Sequence, residues 1–454
     1  MKDLAYDPDE PIAALATPWG ESALAVIRTS GKGSIERMAR LFSRPEAVRT
    51  APASTLLLGE ILDGPLGKPI DQVMLAVYRE PRSYTGQDGV EIFCHGNPSG
   101  IDAILGALKA GGFRDAGPGE FTLRGFLNKK MDLTRAEAVK EIVRAKTREA
   151  HSLALHRLAG AIEARIDRAK GRITRLMTAI EIQLDYPEDE VEGEITTALP
   201  ELAEIREELA ALAATYRTGR LYQEGVRVAL CGKTNAGKSS LFNYLLREER
   251  SIVSELHGTT RDYIESLVTI EGLPVLLYDT AGLRSAENPV EVEGIRRSER
   301  IIESADLLLY IVDGGEGLGS EDAEFLASRG ADRVIGLWNK IDADAGAPPP
   351  GFLPVSATTG AGLPEVAREI RRRAIGEAVA PAGDAVIDSA RQRDLLERCI
   401  AALAEVEEGI SAGMPADAVA LDLRDALDAL GEITGEVTTA DILNQMFAGF
   451  CVGK

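Results

Sequence analysis

The sequence predicts a multidomain chain of mixed class, α/β plus all-α, in which an α/β domain is inserted into a helical domain and splits it in two. Three observations carry this reading. Short strand-like runs alternate with helical ones between about residues 225 and 378, which implies a mainly parallel sheet. Apolar stripes at spacings of 3 and 4 lie on both sides of that stretch, from about Thr134 and again from about Asp384. The first 125 or so residues carry short apolar runs punctuated by turn residues and no long helical stripe. A length of 454 residues suits about three domains. The divisions fall at 1–125 (N-terminal α/β), 126–224 (first helical part), 225–378 (inserted α/β domain) and 379–454 (second helical part).

In the N-terminal part, Pro11–Thr17 and Ala23–Arg28 flank a Pro-Trp-Gly turn, and Val73–Tyr78 and Val90–Cys94 read as further strands. Ile101–Ala110 reads as a helix stopped by Gly111-Gly112. Thr134-Arg135-Ala136-Glu137 fits a capping box for the next helix. Leu155, Leu158, Ile162, Ile166, Ala169, Ile173, Leu176 and Ile180 form one continuous stripe. Unbroken to Asp185, that helix would run roughly 75 Å, weakened at Gly160 and Gly171 and ended by Pro187. A second helix is expected from Pro200, with Leu202, Ile205, Leu209 and Leu212 inward and Gly219 as its C-cap. In the inserted domain, Leu267–Ile270 and Pro274–Tyr278 suggest an antiparallel pair joined at Glu271-Gly272, followed by strands at 307–312, 334–338 and 352–355. Leu395, Leu396, Ile400, Leu421, Leu423, Leu427 and Leu430 make the last part helical.

Composition narrows the class. Hydrophobic content of 45% and charged content of 27% are ordinary for a globular chain. No apolar run reaches the ~18 residues of a membrane span, and the N-terminus lacks a signal-peptide core. Cys94, Cys231, Cys399 and Cys451 have no metal-ligand spacing, so a cytoplasmic protein with free thiols is expected. The net charge of −21 argues against nucleic acid on average, but Arg124–Arg175 carries 14 Lys and Arg against 6 Asp and Glu. Asp185–Glu208 is the reverse, with 10 acids and one Arg. The basic stretch is either an RNA footprint or a solvated helix face.

The chemistry centres on Gly232-Lys233-Thr234-Asn235-Ala236-Gly237-Lys238-Ser239, between the strand-like Val226–Cys231 and the helix-like Ser240–Leu246. That context is the one a phosphate-binding loop needs, because glycines let backbone N–H groups and a helix N-terminus converge on a polyphosphate. Asn235, Ala236, Gly237 and Ser240 would line it, Lys238 would lie along the β- and γ-phosphates, and Ser239 would hold Mg²⁺. Further stations follow in order. Thr259 and Thr260 offer a switch threonine, Thr260 toward Mg²⁺. Asp279-Thr280-Ala281-Gly282 would reach Mg²⁺ through water and sense the γ-phosphate. Asn339-Lys340-Ile341-Asp342 suits guanine, since the Asp342 carboxylate can accept from N1–H and the exocyclic amine together, a pair adenine lacks. Ser356-Ala357 can present a backbone N–H to guanine O6. Together these predict a Ras-like P-loop G domain that binds GTP. Leu283 stands where Ras-type enzymes orient water with glutamine, which leaves Glu287, Glu291 and Glu293 as candidate acids, or as solvated loop carboxylates.

These stations resemble those of the MnmE (TrmE) family of tRNA-modification GTPases, and motifs outside the G domain extend the resemblance over essentially the whole chain. They are Ile12–Pro18, Val26–Gly31, Ser83–Asp88, Cys94-His95-Gly96, Pro118–Arg124 with Phe126–Asn128, Met131–Thr134, Ala136-Glu137-Ala138, and the terminal Phe450-Cys451-Val452-Gly453-Lys454. The resemblance implies an N-terminal α/β domain that dimerises and binds a tetrahydrofolate derivative, through Arg28, Glu91, Lys130 and Lys454. It implies a homodimer that works with tRNA and an FAD-containing partner, MnmG (GidA), to install an aminomethyl-type group on the wobble uridine. It implies a K⁺ ion held by Asn235, Ser254, Leu256 and Thr259 in place of an arginine finger, and Glu291 as the acid that orients water. Ser254, His257, Gln87, Asn97 and Trp19–Ser22 depart from the family pattern without removing a proposed chemical group. Cys451 is either a nucleophile or a thiol that packs the tail. The alternatives are a ribosome-assembly GTPase acting as an RNA-binding switch, for which no KH-type GXXG segment stands out, and a membrane-remodelling GTPase, which needs a basic amphipathic anchor for which the basic helix near 144–175 is a weak candidate.

Overall fold

The computed structural model describes residues 6–64, 67–185, 198–248, 265–279, 299–343, 345–376 and 385–454, with side chains to 180 in the second segment. Contacts divide the chain into two compact units: Met1–Lys140 with Leu158–Ile195 and Glu408–Lys454, and Glu141–Arg157 with Thr196–Glu407.

The first unit is built on a six-stranded sheet of β1 (Ile12–Leu15), β2 (Ser22–Ser30), β3 (Thr55–Asp63), β4 (Lys68–Tyr78), β5 (Gly89–Gly96) and β6 (Arg114–Asp115). Their order is β3-β4-β5-β2-β1-β6, with β1–β6 parallel and the other pairings antiparallel. Period-two alternation sends Val73, Leu75 and Val77 of β4 inward, while Met74 stays exposed. The inward side meets α1 (Ser34–Leu41), α2 (Pro45–Thr50) and α3 (Pro98–Ala110), giving a core of Ile27, Met38, Leu75, Ile92, Ile104 and Leu108. Asn97 caps α3 by accepting from the N–H groups of Ser99 and Gly100, and Pro98 sits where a missing N–H costs nothing. β3 was not anticipated from the sequence: its exposed Leu56 and Leu58 break the hydrophobic-in, polar-out pattern that marks a strand.

Helices α4 (Glu120–Leu127) and α5 (Leu133–Arg144) follow. The N-cap of α5 is Asp132, not Thr134: Asp132 Oδ1 accepts from Arg135 N at 3.0 Å, and Thr134 donates its hydroxyl to Oδ2. A carboxylate two positions upstream outcompeted the predicted capping box. The single long helix is also corrected. It divides into α6 (Arg148–Leu158) and α7 (Ala161–Asp185) at Gly160, whose φ of +94° no ordinary helical residue adopts. An added Cβ at Gly160 would lie 2.4 Å from the Arg135 guanidinium, so the break is also a packing requirement. Leu155 of the predicted stripe is exposed, as is Leu421.

In the second unit the helix expected from Pro200 is two, α8 (Leu199–Ala214) and α9 (Tyr216–Glu224), ending at Gly225 with φ +96°. Gly219 is not a cap. It lies inside α9, where a Cβ would come 2.1 Å from the Ile387 carbonyl oxygen, so glycine is there for close approach.

The second sheet runs β12-β11-β10-β7-β9-β8: β7 (Val226–Cys231), β8 (Glu265–Ile270), β9 (Leu273–Asp279), β10 (Leu307–Asp313), β11 (Val334–Asn339) and β12 (Phe352–Pro354). Only β8–β9 is antiparallel, as the Glu271-Gly272 turn predicts. Helices α10 (Lys238–Glu248), α11 (Ser320–Ser328) and α12 (Leu363–Ile375) accompany it. Val228, Leu230, Leu309 and Ile311 face one cluster with Leu241 and Ile370; Ala229, Leu308 and Tyr310 face another with Ile301 and Trp338. Burial on both faces explains why these strands read as continuous apolar runs. The carboxyl ends of β7, β9, β10 and β11 therefore open on one edge, where a doubly wound sheet binds ligands. The remaining helices are α13 (Ala390–Ser411), α14 (Ala416–Thr434) and α15 (Ala440–Ala448). In the first unit α14 packs on α7, and α15 folds back on α4 through Leu123, Leu443, Phe447 and Phe450.

Candidate functional sites

The phosphate loop leaves β7 at Cys231 and enters α10 at Lys238. Its path needs unusual backbone at three places: Gly232 at φ +131°, Asn235 at +64° and Gly237 at +101°. A Cβ at Gly232 would meet Ile311 O at 2.1 Å, and one at Gly237 would meet Asn339 Nδ2 at 2.1 Å. Lys238 Nζ donates to the carbonyls of Gly232 and Lys233, at 2.8 and 2.5 Å, so the ammonium is folded over the loop it would share with phosphates. Ser239 Oγ donates to Asp279 Oδ2 at 3.0 Å, which brings a hydroxyl and a carboxylate from two distant motifs onto one point.

Asn339 joins the two ends of the site. Its Nδ2 donates to Ala236 O at 2.7 Å and its Oδ1 accepts from Ala357 N at 3.0 Å. The amides expected to face guanine are thus engaged within the protein, Ala357 N by Asn339 and Ser356 N by Ala361 O. Lys340, at φ +67°, is held by Asp313 at 2.6 Å. That bond keeps the Asp313 carboxyl below its ordinary range. Asp342 is exposed, as are Asn235, Ser239 and Ser240. Ser254, Leu256, Thr259, Thr260, Thr280, Ala281, Gly282 and Glu291 lie outside the described residues, together with Leu283, Glu287 and Glu293.

A second site lies in the first unit. Arg28 on β2 and Glu91 on β5 are opposite each other in register and bond at 2.7 Å (Nε to Oε1). Arg28 also donates to Gly453 O at 3.1 Å, across 425 residues of chain, and Tyr78 donates to Glu91 Oε2 at 3.2 Å. The guanidinium carbon lies 5.6 Å from the Tyr84 ring centre and 5.7 Å from that of Phe121, within cation–π range. Burial pushes the Tyr84 hydroxyl up, and burial followed by Glu91 does the same to Tyr78, so both stay neutral donors at physiological pH. These residues line a cavity of about 300 Å³ with Thr29, Thr85 and Gln87. Lys130 is not part of that lining; its ammonium rests on Pro81 O at 3.0 Å.

The C-terminal tail arrives at Arg28 by backbone pairing. Gly119 N donates to Cys451 O, Val452 bridges Pro118, and Lys454 N turns back to Cys451 O. The Cys451 side chain is exposed, so the tail is held by its main chain rather than by a packed thiol. Sequence reasoning missed Tyr78, Tyr84, Phe121 and Asp313. Tyr84 and Phe121 stand inside motifs that carried the family resemblance, but the residue types alone say nothing about facing an arginine.

Several cations of the basic stretch are structural. Arg124 is 1% exposed and bonds Glu120 at 2.7 Å, and Arg157 is 2% exposed between Glu141 and Asp388. Arg135 pairs with Glu163, and Lys170 with Glu436. Part of the charge excess therefore balances buried or neighbouring acids, which weakens it as an RNA footprint. Among the described residues no helix is long and apolar enough to cross a membrane, and no cluster of His, Cys, Asp and Glu has metal-site geometry.

Comparison with known proteins identifies the family. A family model described as the GTP-binding protein TrmE N-terminus matches residues 11–130, and one described as the MnmE helical domain matches 133–451. The tRNA modification GTPase MnmE of Borrelia turicatae is 39% identical over 99% of both chains. That of Carboxydothermus hydrogenoformans is 38% identical over 98% of this chain and all of its own. Among solved structures, Aquifex aeolicus Era bound to GDP and AlF4⁻ is 25% identical, covering 41% of this chain and 66% of its own at a TM-score of 0.27, too slight a likeness to bear on function. The ribosome-assembly and membrane-remodelling readings gain nothing from these matches. With both family models aligned end to end and full-length relatives at this identity, the chain belongs to the MnmE family of tRNA modification GTPases.

Proposed function

We propose that this chain is the GTP-hydrolysing subunit of an enzyme that adds a carboxymethylaminomethyl or aminomethyl group to the wobble uridine of tRNA. In this reading tetrahydrofolate supplies the one-carbon unit, an FAD-containing partner of the MnmG kind completes the enzyme, and GTP turnover drives conformational cycling rather than carbon chemistry. The observation that carries it is the coexistence, in one chain of this family, of a built phosphate loop and a separate cation–carboxylate cavity.

The nucleotide site suits a guanine triphosphate with Mg²⁺. Ser239 Oγ would give such an ion a hard oxygen ligand, Thr260 would give another, and Asp279 Oδ2, 3.0 Å from Ser239 Oγ, would reach it through water. The ion would neutralise developing phosphate charge. Lys238, which rests on two carbonyls of its own loop, would turn to phosphate oxygens, and Asn339 couples the loop to the base-recognition segment. Asp342 is exposed and free to meet the base. Asn235, exposed at the loop's tip, would hold K⁺ with Ser254, Leu256 and Thr259, and Glu291 would orient the attacking water.

The cavity suits a folate derivative in its chemistry. Glu91 offers a carboxylate to a donor-rich heterocycle, Tyr84 and Phe121 offer ring faces, and Arg28 faces the anionic end. Lys130 and Lys454 would engage the glutamate tail. Homodimerisation through the N-terminal domain is favoured by the exposed Leu56 and Leu58 on edge strand β3 and by Met74, which lies opposite Leu58 in register.

The test is GTP hydrolysis by the purified protein in K⁺ and in Na⁺ buffer, beside Asn235→Ala and Glu291→Ala. Stimulation by K⁺ that both variants lose is the expected result. Equal rates in the two salts would remove the cation from the mechanism and reduce the reading to a GTPase of ordinary type.

A further inference from the structure

The phosphate loop holds two lysines, and only Lys238 is explained by phosphate binding. The other, Lys233, is bonded through its side chain to a buried acceptor. Its Nζ bonds Asp322 Oδ2 at 2.8 Å. Asp322, on α11, is 2% exposed and is itself gripped from two more directions: Tyr310 Oη donates to Oδ1 at 2.7 Å, and Gly319 N donates to Oδ2 at 2.7 Å. Tyr310 belongs to β10 and lies opposite Cys231, the last residue of β7 before the loop. Its ring stacks on Phe325 of α11 with centres 4.7 Å apart. Gly319 leaves room for the ammonium, since a Cβ there would come 2.7 Å from Lys233 Nζ.

The backbone of Lys233 completes the chain of contacts. Its carbonyl accepts from Lys238 Nζ, beside that of Gly232. The residue that receives the phosphate-binding ammonium through its main chain is therefore tethered through its side chain to a buried carboxylate. We propose that Asp322 is a positioning residue for the nucleotide, acting through Lys233 to hold the loop segment that presents Lys238. This rests on the GTP reading of the same loop.

The charges agree with a tether. Burial alone would raise the Asp322 carboxyl, but bonds from Lys233, Tyr310 and Gly319 outweigh it and hold it below its ordinary range. Asp322 raises Lys233 in turn. Lys233 is thus a charged donor already matched to an acid, and the loop does not carry two uncommitted cations.

The opposite hypothesis, that Lys233 is a second phosphate ligand which Asp322 merely restrains, predicts the reverse sign. Freeing Lys233 by Asp322→Asn would then tighten nucleotide binding. A tether predicts that it loosens binding. The experiment is equilibrium binding of a fluorescent guanine nucleotide to the full-length protein, with Lys233→Met, Lys233→Arg, Asp322→Asn and the Lys233→Met/Asp322→Asn double variant. Lys233 is 41% exposed on its side chain, so Lys233→Met gives a readout even where Asp322→Asn unfolds the domain. The expected result is about tenfold weaker binding in each of the two disruptive single variants, little further loss in the double, and retention in Lys233→Arg. Tighter binding in Asp322→Asn, unchanged binding in Lys233→Met, or additive losses in the double would overturn the proposal. Absence of guanine-nucleotide binding by the unsubstituted protein would instead overturn the GTP reading on which it rests.

Discussion

The two sites differ in how they are made. The phosphate loop is local: eight consecutive residues supply its backbone, and its defining lysine bonds carbonyls five and six residues away. The Arg28 cavity is assembled from β2, β4, β5, the loop between β4 and β5, and α4, and Arg28 also bonds the last residues of the chain across 425 positions. A local site leaves a motif with fixed spacing, because spacing and geometry are the same constraint when one turn of backbone does the binding. An assembled site leaves only residue types scattered along the chain, and their meeting depends on register and on where a terminal helix docks. The first site was readable from physical chemistry alone; the second came only through family resemblance.

Substitutions at each site test whether the two work independently. Lys238→Ala should lower the rate of GTP hydrolysis by about 10²–10³-fold, as loss of a charged donor to a developing phosphate charge does, with folate binding unchanged. Phosphate release and calorimetric titration of a tetrahydrofolate derivative measure the two arms. Arg28→Ala should do the converse: folate affinity falls about 100-fold, because Glu91 loses its cation and the ligand its counter-charge, while hydrolysis stays near the parental rate. An equal loss in both assays for either variant would mean the two sites are not separable.

Glu120 tests the wall behind the cavity. It is 1% exposed and holds Arg114 and Arg124, the latter also reaching Gln87 of the cavity lining. Burial pushes its carboxyl up, but Arg114, the Gly117 N–H and Arg124 together bring it below its ordinary value of 4.5. A carboxyl lowered on folding contributes stability above its unfolded pKa and loses it as pH falls through the folded value. Glu120→Gln should therefore destabilise the chain by about 1–3 kcal/mol at pH 7, with the gap to the parent closing below about pH 4.5. Calorimetric unfolding across that range measures it, and a constant gap would remove Glu120 from the acid response.

Gly453→Ala should have the smallest effect. Gly453 adopts φ +89°, and a Cβ would lie 2.6 Å from Leu15 O, so alanine must shift the tail and its carbonyl off Arg28. Folate affinity should drop about tenfold with GTP hydrolysis unaffected; an unchanged affinity would show that the tail is not part of the site.

The pattern of misreadings has a common physical origin. Gly219 and Gly160 were both weighed as local signals, a cap and a weak point, but each is dictated by an atom distant in sequence, Ile387 O in one case and the Arg135 guanidinium in the other. Thr134 lost the N-cap to Asp132 because a carboxylate two residues earlier makes the stronger bond. The charge excess of residues 124–175 looked like an external surface, yet Arg124 and Arg157 balance buried acids. β3 is hidden in the sequence because Leu56 and Leu58 stay exposed, so its apolar residues do not mark an inward face.

The amino-acid order suffices for what near neighbours govern: the strand–loop–helix of the phosphate site, the alternation of strands and helices that implies a parallel sheet behind it, and the Glu271-Gly272 hairpin. Tertiary structure alone decided which cations are buried, which glycines are obligatory, that the tail reaches Arg28, and that Lys233 is tied to Asp322. The reason is that backbone geometry propagates over a few residues, whereas burial and ion pairing depend on which distant elements occupy the same few ångströms.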